Sequence, residues 1–204
     1  CFAAVPAPAQ RRKSDNCGGT LSIAEAAARH SLSAETLLDD LRSLATTAGL
    51  EAPLDTLPLI DHILTRYHDT HRSELAWLIP LAQKVEIVHG DHDEAPHGLA
   101  DALVALQADL ESHMAKEEQV LFPLMRQGGH PMIAHPIAVM RHDHDQATEL
   151  LRQIEHASHG LALPEGACRS WSALYTGLAK FTDDLVTHMH LENDILFPRF
   201  ETAA

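Results

Sequence analysis

Hydrophobic side chains recur every three or four residues through most of the chain after residue 57, which is the period of helices that bury one face. No segment has the alternating pattern of a β-strand, and loops rich in glycine or proline separate the periodic stretches. Pro80 is expected to kink or split the first of them. Residues 57–201 are therefore predicted to be all-α, an antiparallel, up-and-down four-helix bundle with helices at about 58–88, 97–126, 136–156 and 165–197.

The first 50 residues are predicted to form a separate, small helical N-terminal module. Ser22 and Glu25 have the spacing of a capping box, Ser33 can cap a second helix, and Gly49 can end it. Prolines after residue 52 mark a linker to the bundle.

Each predicted helix of the bundle carries polar residues on its inward stripe. Six titratable residues replace hydrophobic ones there: His68, His113, Glu117, His144, His188 and Glu192. Their neighbours on the same stripes are predicted to be core residues: Leu64, Leu110, Val120, Leu124, Met140, Ala147, Leu185 and Ile195.

Burying an imidazole or a carboxylate without a partner costs free energy, so these six residues need a shared binding partner inside the core. His113 and Glu117, like His188 and Glu192, lie one helical turn apart, so both side chains of a pair reach the same region. The two pairs are 75 residues apart and the other two histidines 76, which indicates an internal repeat. We predict two metal ions bridged by Glu117 and Glu192, with two imidazoles each and room for an oxo or hydroxo bridge. Nitrogen and oxygen ligands without thiolate favour iron or manganese, iron first, over zinc.

Composition excludes several classes of protein. A formal net charge of -14 argues against a nucleic-acid partner, and no apolar run is long enough to span a membrane. Three cysteines, Cys1, Cys17 and Cys168, fit no disulfide framework and favour a reducing compartment. No nucleophile–base pair or phosphate-binding loop indicates a hydrolase.

The other histidines are expected outside the ligand set. Those of the acidic loop, His89, His92 and His97, are predicted to be solvated, and His71 to lie at the surface or around the ligands. Asp109 and Asp184, one turn before His113 and His188, either orient these ligands or face water. Tyr67 is expected to be a core residue and Cys168 a packed thiol.

The ligand motifs resemble those of the hemerythrin-like superfamily, and most closely the RIC (repair of iron centres) family of di-iron proteins. The resemblance covers nearly the whole chain and is carried by Arg66-Tyr67-His68-Asp69, Ser112-His113-Met114, Lys116-Glu117-Glu118-Gln119, Leu121-Phe122-Pro123, His144-Asp145, Leu191-Glu192-Asn193 and Leu196-Phe197-Pro198. It implies a hemerythrin-like bundle whose di-iron ligands are the same six residues.

The resemblance also implies a cytoplasmic protein of nitrosative and oxidative stress, which reacts with nitric oxide and helps to repair damaged iron–sulfur clusters. Nitric oxide reduction and iron donation both stay open, as do the electron donor and the oligomeric state, with a dimer among the possibilities. The alternative is a hemerythrin-like protein that binds or senses nitric oxide or oxygen without repair activity; metal storage is a weaker one. Respiratory hemerythrins carry a further histidine one turn after the position of His144, where this chain has Thr148.

The N-terminal module resembles the short domain of the same family that ends in a Cys-Cys-Gly-Gly motif. Here the motif reads Asn16-Cys17-Gly18-Gly19, without the first cysteine. A dithiol exchange is therefore not expected, and Cys17 is either a single reactive, catalytic thiol or a structural loop residue.

Overall fold

The computed structural model describes residues 33, 52–53 and 55–201. The chain divides into two units between Glu51 and Ala52. Nearly all described residues belong to the second unit, so the N-terminal module of residues 1–50 and Cys17 lie outside the described residues and stay predictions.

Four long helices make up the described part of the chain, which contains no strand. Helix α1 consists of Thr56–His62, Ile63–His68 and Asp69–His89, and helix α2 of Leu99–Lys116, Glu117–Leu121 and Phe122–Arg126. Helix α3 is Ala134–Ala157, and helix α4 consists of Arg169–His190 and Leu191–Leu196, followed by the short turn Pro198–Glu201. The all-α prediction is confirmed. Pro80 lies inside Asp69–His89 without splitting it, contrary to one of the two expectations.

Helices α1, α2 and α4 each contain one π-helical segment, in which an amide donates to the carbonyl five residues earlier. The Asp69 amide donates to Leu64, the Phe122 amide to Glu117, and the Phe197 amide to Glu192. A π turn holds one residue more than an α turn, and such turns are frequent at functional sites. All three segments begin or end within one residue of a predicted ligand.

The extra residue shifts the core stripe by one position at the end of the π segments of α2 and α4. Val120 and Ile195 were predicted to be core residues, but Val120 is 50% exposed and Ile195 only partly buried. Leu121 and Leu196 are buried instead, at 1% and 0% exposure. Helix α3 has no π segment, and its predicted stripe is buried along its whole length.

Two apolar clusters fill the bundle above and below the predicted ligands. One is built around Leu78, Leu103 and Trp171, and the other around Ile60 and Phe197. The chain crosses from the second cluster to the first in α1 and α3 and in the opposite direction in α2 and α4, as an antiparallel bundle requires. Within the residues described, no helix is long and apolar enough to cross a membrane.

Candidate metal centre

The six predicted ligands meet in the layer between the two apolar clusters. His68 ends the π segment of α1, Glu117 begins that of α2, and Glu192 is the second residue of that of α4. His113, His144 and His188 lie on regular α-helix. The exposure of the six residues ranges from 0% to 4%, so the centre is closed to bulk water.

The first half of the centre joins α1, α2 and α4. His68 Nε2 lies 3.3 Å from Glu117 Oε2, and His188 Nε2 lies 3.0 Å from Glu192 Oε1. One ligand atom from each of these four residues falls within 4.8 Å of the others. We call these residues, with their surroundings, the His68/His188 half.

The second half joins α2, α3 and α4. The Nε2 atoms of His113 and His144 are 3.3 Å apart, and Glu192 Oε2 lies 3.0 Å from that of His144. His113 Nε2 also lies 3.3 Å from Glu117 Oε2. This set, the His113/His144 half, shares both glutamates with the first half, so each carboxylate contacts imidazoles of both halves.

The residue after each glutamate orients one of the imidazoles. His68 Nδ1 donates to Glu118 Oε1 at 2.8 Å, and His144 Nδ1 donates to Asn193 Oδ1 at 3.0 Å. Arg141 also donates to Asn193 Oδ1, which identifies this atom as the oxygen of the amide. The internal repeat therefore includes the residues that orient the ligands. The sequence could have indicated this, because Glu118 follows Glu117 in the same way as Asn193 follows Glu192.

These hydrogen bonds determine which ring nitrogens carry lone pairs. A carboxylate or amide oxygen can only accept, so Nδ1 of His68 and of His144 carries the proton and Nε2 of a neutral ring carries the lone pair. The lone pair of His144 then faces His113 Nε2 and a carboxylate oxygen, an arrangement that a metal ion, or a proton on His113, stabilises. Both oxygens of Glu117 are buried without a hydrogen bond from any described residue. The donor set thus fits a bound metal ion.

The electrostatics of the centre also favour a bound cation. Burial by itself disfavours a charged His113 ring, but Glu117 and the other nearby carboxylates outweigh burial and raise the pKa of His113 well above its ordinary value. Burial likewise opposes ionisation of Glu192, yet His188 and the other imidazoles lower the pKa of Glu192 well below its ordinary value. Both shifts show that the carboxylates are strong attractors of positive charge.

Some residues near the ligands take roles that differ from those predicted. Asp184 accepts from Arg66, at 2.7 Å and 3.0 Å, and from Lys180 at 2.8 Å, so it does not orient His188. Asp109 has a buried oxygen without a hydrogen bond in the described chain, and burial raises the pKa of its carboxyl.

The residue that faces His113 is one that the sequence analysis did not select. Asp143 Oδ2 lies 3.5 Å from His113 Nδ1 and accepts from Lys116 at 2.7 Å. These contacts, with His113 first, lower the pKa of Asp143 to about 2. The side chain of Thr148 donates to the backbone oxygen of His144 at 2.8 Å and belongs to neither ligand group.

One of the remaining histidines was placed wrongly. His89 is not a solvated loop residue: it ends Asp69–His89, is partly buried, and its Nε2 lies 3.0 Å from the thiol of Cys168. Of the two places predicted for His71, the structure has the one around the ligands: its exposure is 0%, and burial, followed by the nearby His188, lowers its pKa to about 3. Tyr67 is a core residue as predicted, with 4% exposure.

Comparison with known proteins places the chain in a family. The hemerythrin HHE cation-binding domain matches residues 59–200. Iron–sulfur cluster repair protein YtfE of Citrobacter koseri is 46% identical over 186 residues, which cover 90% of this chain and 84% of that protein. The proteins of the same name from Pectobacterium carotovorum and Escherichia coli are 44% and 45% identical, with the same shares covered. The buried His/Glu groups are the part of this chain that fits cation binding, and the chain belongs to the hemerythrin HHE family and, within it, to the group of iron–sulfur cluster repair (RIC) proteins.

Proposed function

We propose that the protein binds two iron ions through His68, His113, Glu117, His144, His188 and Glu192, and that it acts in the repair of damaged iron–sulfur clusters. One observation carries the metal assignment: the His113 and His144 Nε2 atoms lie 3.3 Å apart beside a carboxylate oxygen. A lone pair on His144 and a carboxylate charge at that distance from a second imidazole nitrogen favour a cation between them.

The positions of the two glutamates support two ions rather than one. Glu117 Oε2 lies 3.3 Å from both His68 and His113, and Glu192 lies 3.0 Å from both His188 and His144. A carboxylate that faces one imidazole of each half is placed to bridge two ions. Four imidazoles and two carboxylates without thiolate favour iron over zinc, because structural zinc sites are usually closed, four-coordinate and often built from cysteine.

The surrounding residues hold the ligands and exclude water. The Phe122 ring stacks on His68 with centroids 5.9 Å apart, and the Phe197 ring stacks on His144 at 6.0 Å. Both rings are buried, so they hold the planes of the two imidazoles and help to keep bulk water from the centre. A bound pair of irons would supply redox chemistry toward a small molecule, and we propose nitric oxide as the small ligand and damaged iron–sulfur proteins as the protein targets.

The repair role rests on family membership together with this centre. The named relatives are iron–sulfur cluster repair proteins. We propose a cytoplasmic location because the targets of repair need a reducing compartment. Binding or sensing of nitric oxide or oxygen without repair is the competing function, and the experiment below separates the two.

The first test measures the metal. Purified protein reconstituted with iron is expected to hold two irons per chain and to show the near-ultraviolet absorption of an oxo-bridged iron pair. Glu117→Ala and His188→Ala are expected to lose iron, whereas the control His142→Ala, an exposed residue of α3, keeps it. Retention of two irons in both ligand variants would contradict the assignment.

The second test measures repair. An iron–sulfur enzyme inactivated by nitric oxide is incubated with the reduced, iron-loaded protein, and recovery of its activity is followed. We expect recovery with wild-type protein and His142→Ala but not with His188→Ala. A stable adduct with nitric oxide and no recovery of the damaged enzyme would favour the binding or sensing function instead.

A further inference from the structure

Two of the four proposed ligand imidazoles, His113 and His188, make no hydrogen bond at Nδ1 among the described residues, and only His188 also lacks a carboxylate facing that atom. His68 and His144 donate to Glu118 and Asn193, and His113 Nδ1 faces a carboxylate oxygen at 3.5 Å. His188 Nδ1 is buried and has no hydrogen-bond partner among the described residues. Histidines that bind metals almost always donate their second N–H, because this fixes the ring plane and the tautomer. An acceptor for the Nδ1–H of His188 is therefore still to be identified.

A seventh buried histidine lies beside this nitrogen. The ring centroids of His71 and His188 are 5.3 Å apart, with planes tilted by 36°. His71 is fully buried, and neither of its ring nitrogens has a hydrogen bond in the part of the chain that is described. Phe181 meets the His71 ring edge-on at 5.4 Å, and Tyr67 stacks on His188 at 5.4 Å. Aromatic rings pack against both imidazoles, and the unpaired nitrogens of the two rings lie in the same buried region.

Three unpaired ring nitrogens in one apolar compartment are too costly to persist in a folded protein. Proteins pair such groups directly or through a buried water. Two nitrogens that share one water can be as far apart as about 5.6 Å, twice the length of a normal hydrogen bond. The 5.3 Å between the centroids of the His71 and His188 rings is compatible with one water shared by a nitrogen of each ring.

We propose that His71 is the positioning residue for His188, linked to it by one buried water that accepts from His188 Nδ1–H and donates to a ring nitrogen of His71. This inference rests on the proposed function, because it treats His188 as an iron ligand. His71 itself belongs to neither group of candidate ligands.

The internal repeat shows that His113 and His188, which occupy equivalent positions, have different partners at Nδ1. Asp143, which faces His113, corresponds to Tyr67 at the position before His68, and His71 corresponds to Ala147. His113 therefore has a carboxylate as its partner, whereas His188 has a neutral imidazole reached through water. A carboxylate partner makes an imidazole a stronger donor to a metal. The two irons are therefore inequivalent, although their nearest ligands are equivalent by sequence.

The experiment compares three variants of the full-length, iron-loaded protein. His71→Leu removes both ring nitrogens, His71→Gln restores hydrogen-bonding atoms, and Phe181→Leu changes only the packing against His71. The readouts are iron per chain, the rate of iron loss to a chelator, Mössbauer spectra, and the exchangeable imidazole N–H resonances that the paramagnetic centre shifts in proton NMR.

Wild-type protein is expected to give two distinct Mössbauer doublets and one imidazole N–H that cross-relaxes with a bound water. In His71→Leu this resonance moves or broadens and iron is lost about tenfold faster. His71→Gln restores both properties toward wild type, and Phe181→Leu leaves the resonance in place.

Separate outcomes overturn the separate claims. Two irons in wild type with an unmoved resonance in His71→Leu would overturn this inference alone. Wild-type protein that takes up no iron would overturn the proposed function and this inference with it. If His71→Leu fails to fold, the wild-type spectrum decides, since four ligand N–H resonances without contact to water would also overturn the inference.

Discussion

The two halves of the metal centre share their type of ligands but not their surroundings. Polar side chains lead from His113 to the surface through Asp143 and Lys116, and from His68 through Glu118 and Arg72, so the two halves differ at His188. The His68/His188 half is enclosed by aromatic rings at His188, where Tyr67 and His71 occupy the corresponding space. The imidazoles of the enclosed half are 0% exposed, and those of the other half 2% and 4%.

This difference shows that the two repeats share the same ligand residues but differ in the residues around those ligands. Equivalent positions hold histidine and glutamate in both repeats, as the proposed pair of irons requires. The supporting positions have diverged from carboxylate to aromatic, since a partner for Nδ1 can come from several directions.

The largest expected effect is that of Glu192→Ala, because this variant should affect both halves of the centre. Glu192 contacts imidazoles of both, at 3.0 Å from His188 and from His144. The variant is expected to lose both irons, whereas His144→Ala should first lose the iron of its own half. Iron content and Mössbauer spectra measure this, with the exposed Glu149→Ala as a control. Retention of one firmly bound iron in Glu192→Ala would contradict a shared role of this carboxylate.

Removal of iron is expected to destabilise the whole bundle. The buried carboxylates and imidazoles lose the cations that offset their burial. Ligand present at about 1,000 times its dissociation constant stabilises a fold by about 4 kcal/mol, so the melting temperature should fall on the order of 10 °C. Calorimetry of the iron-loaded and the chelated protein measures this. Equal melting temperatures would contradict a metal-dependent core.

The enclosed half is expected to make the metal-free protein sensitive to mild acid. The pKa of folded His71, about 3, lies below its ordinary value of 6.5, so the unfolded chain binds the proton first. The stability due to His71 is fully present above about pH 6.5 and is lost as the pH falls, by about 2 kcal/mol between pH 7 and pH 5.

Chemical denaturation of the metal-free protein at both pH values measures this loss. His71→Leu should show about 2 kcal/mol less acid destabilisation than wild type, and the exposed His142→Leu should behave as wild type. An unchanged pH dependence in His71→Leu would mean that His71 can take up a proton in the folded state.

The smallest expected effect is that of Asp143→Asn in the other half. The substitution keeps the shape of the side chain but removes the charge that faces His113. Loss of an outer partner of this kind lowers metal affinity by about tenfold. Competition with a chelator measures the affinity, and the weakened iron should be the one held by His113 and His144. Faster loss of iron from the His68/His188 half in this variant would contradict the pairing of Asp143 with the other half.

Sequence reasoning predicted the four helices and selected six residues that the structure brings together, because both depend on a periodicity that is local. It failed where one residue was inserted into a helix. Leu121 and Leu196 are buried in place of Val120 and Ile195, since each is the last residue of a π segment. No local preference marks these turns; they form when the contacts between helices are better with the extra residue.

His71 shows the same limit at the level of a side chain. It lies three residues after His68, which on an isolated helix is compatible with either the buried face or its edge. Its burial is decided by Phe181 and His188, which lie more than a hundred residues later in the chain.

The sequence by itself determined the bundle and the set of polar residues within its core, because helical period and internal repeat can be read from residue spacing alone. Only the tertiary structure decided which nitrogen of each imidazole is free for a metal and what supports the other nitrogen. Those partners, such as Glu118 for His68 and Asn193 for His144, belong to different helices. Their distances follow from packing between helices and not from the order of residues along one.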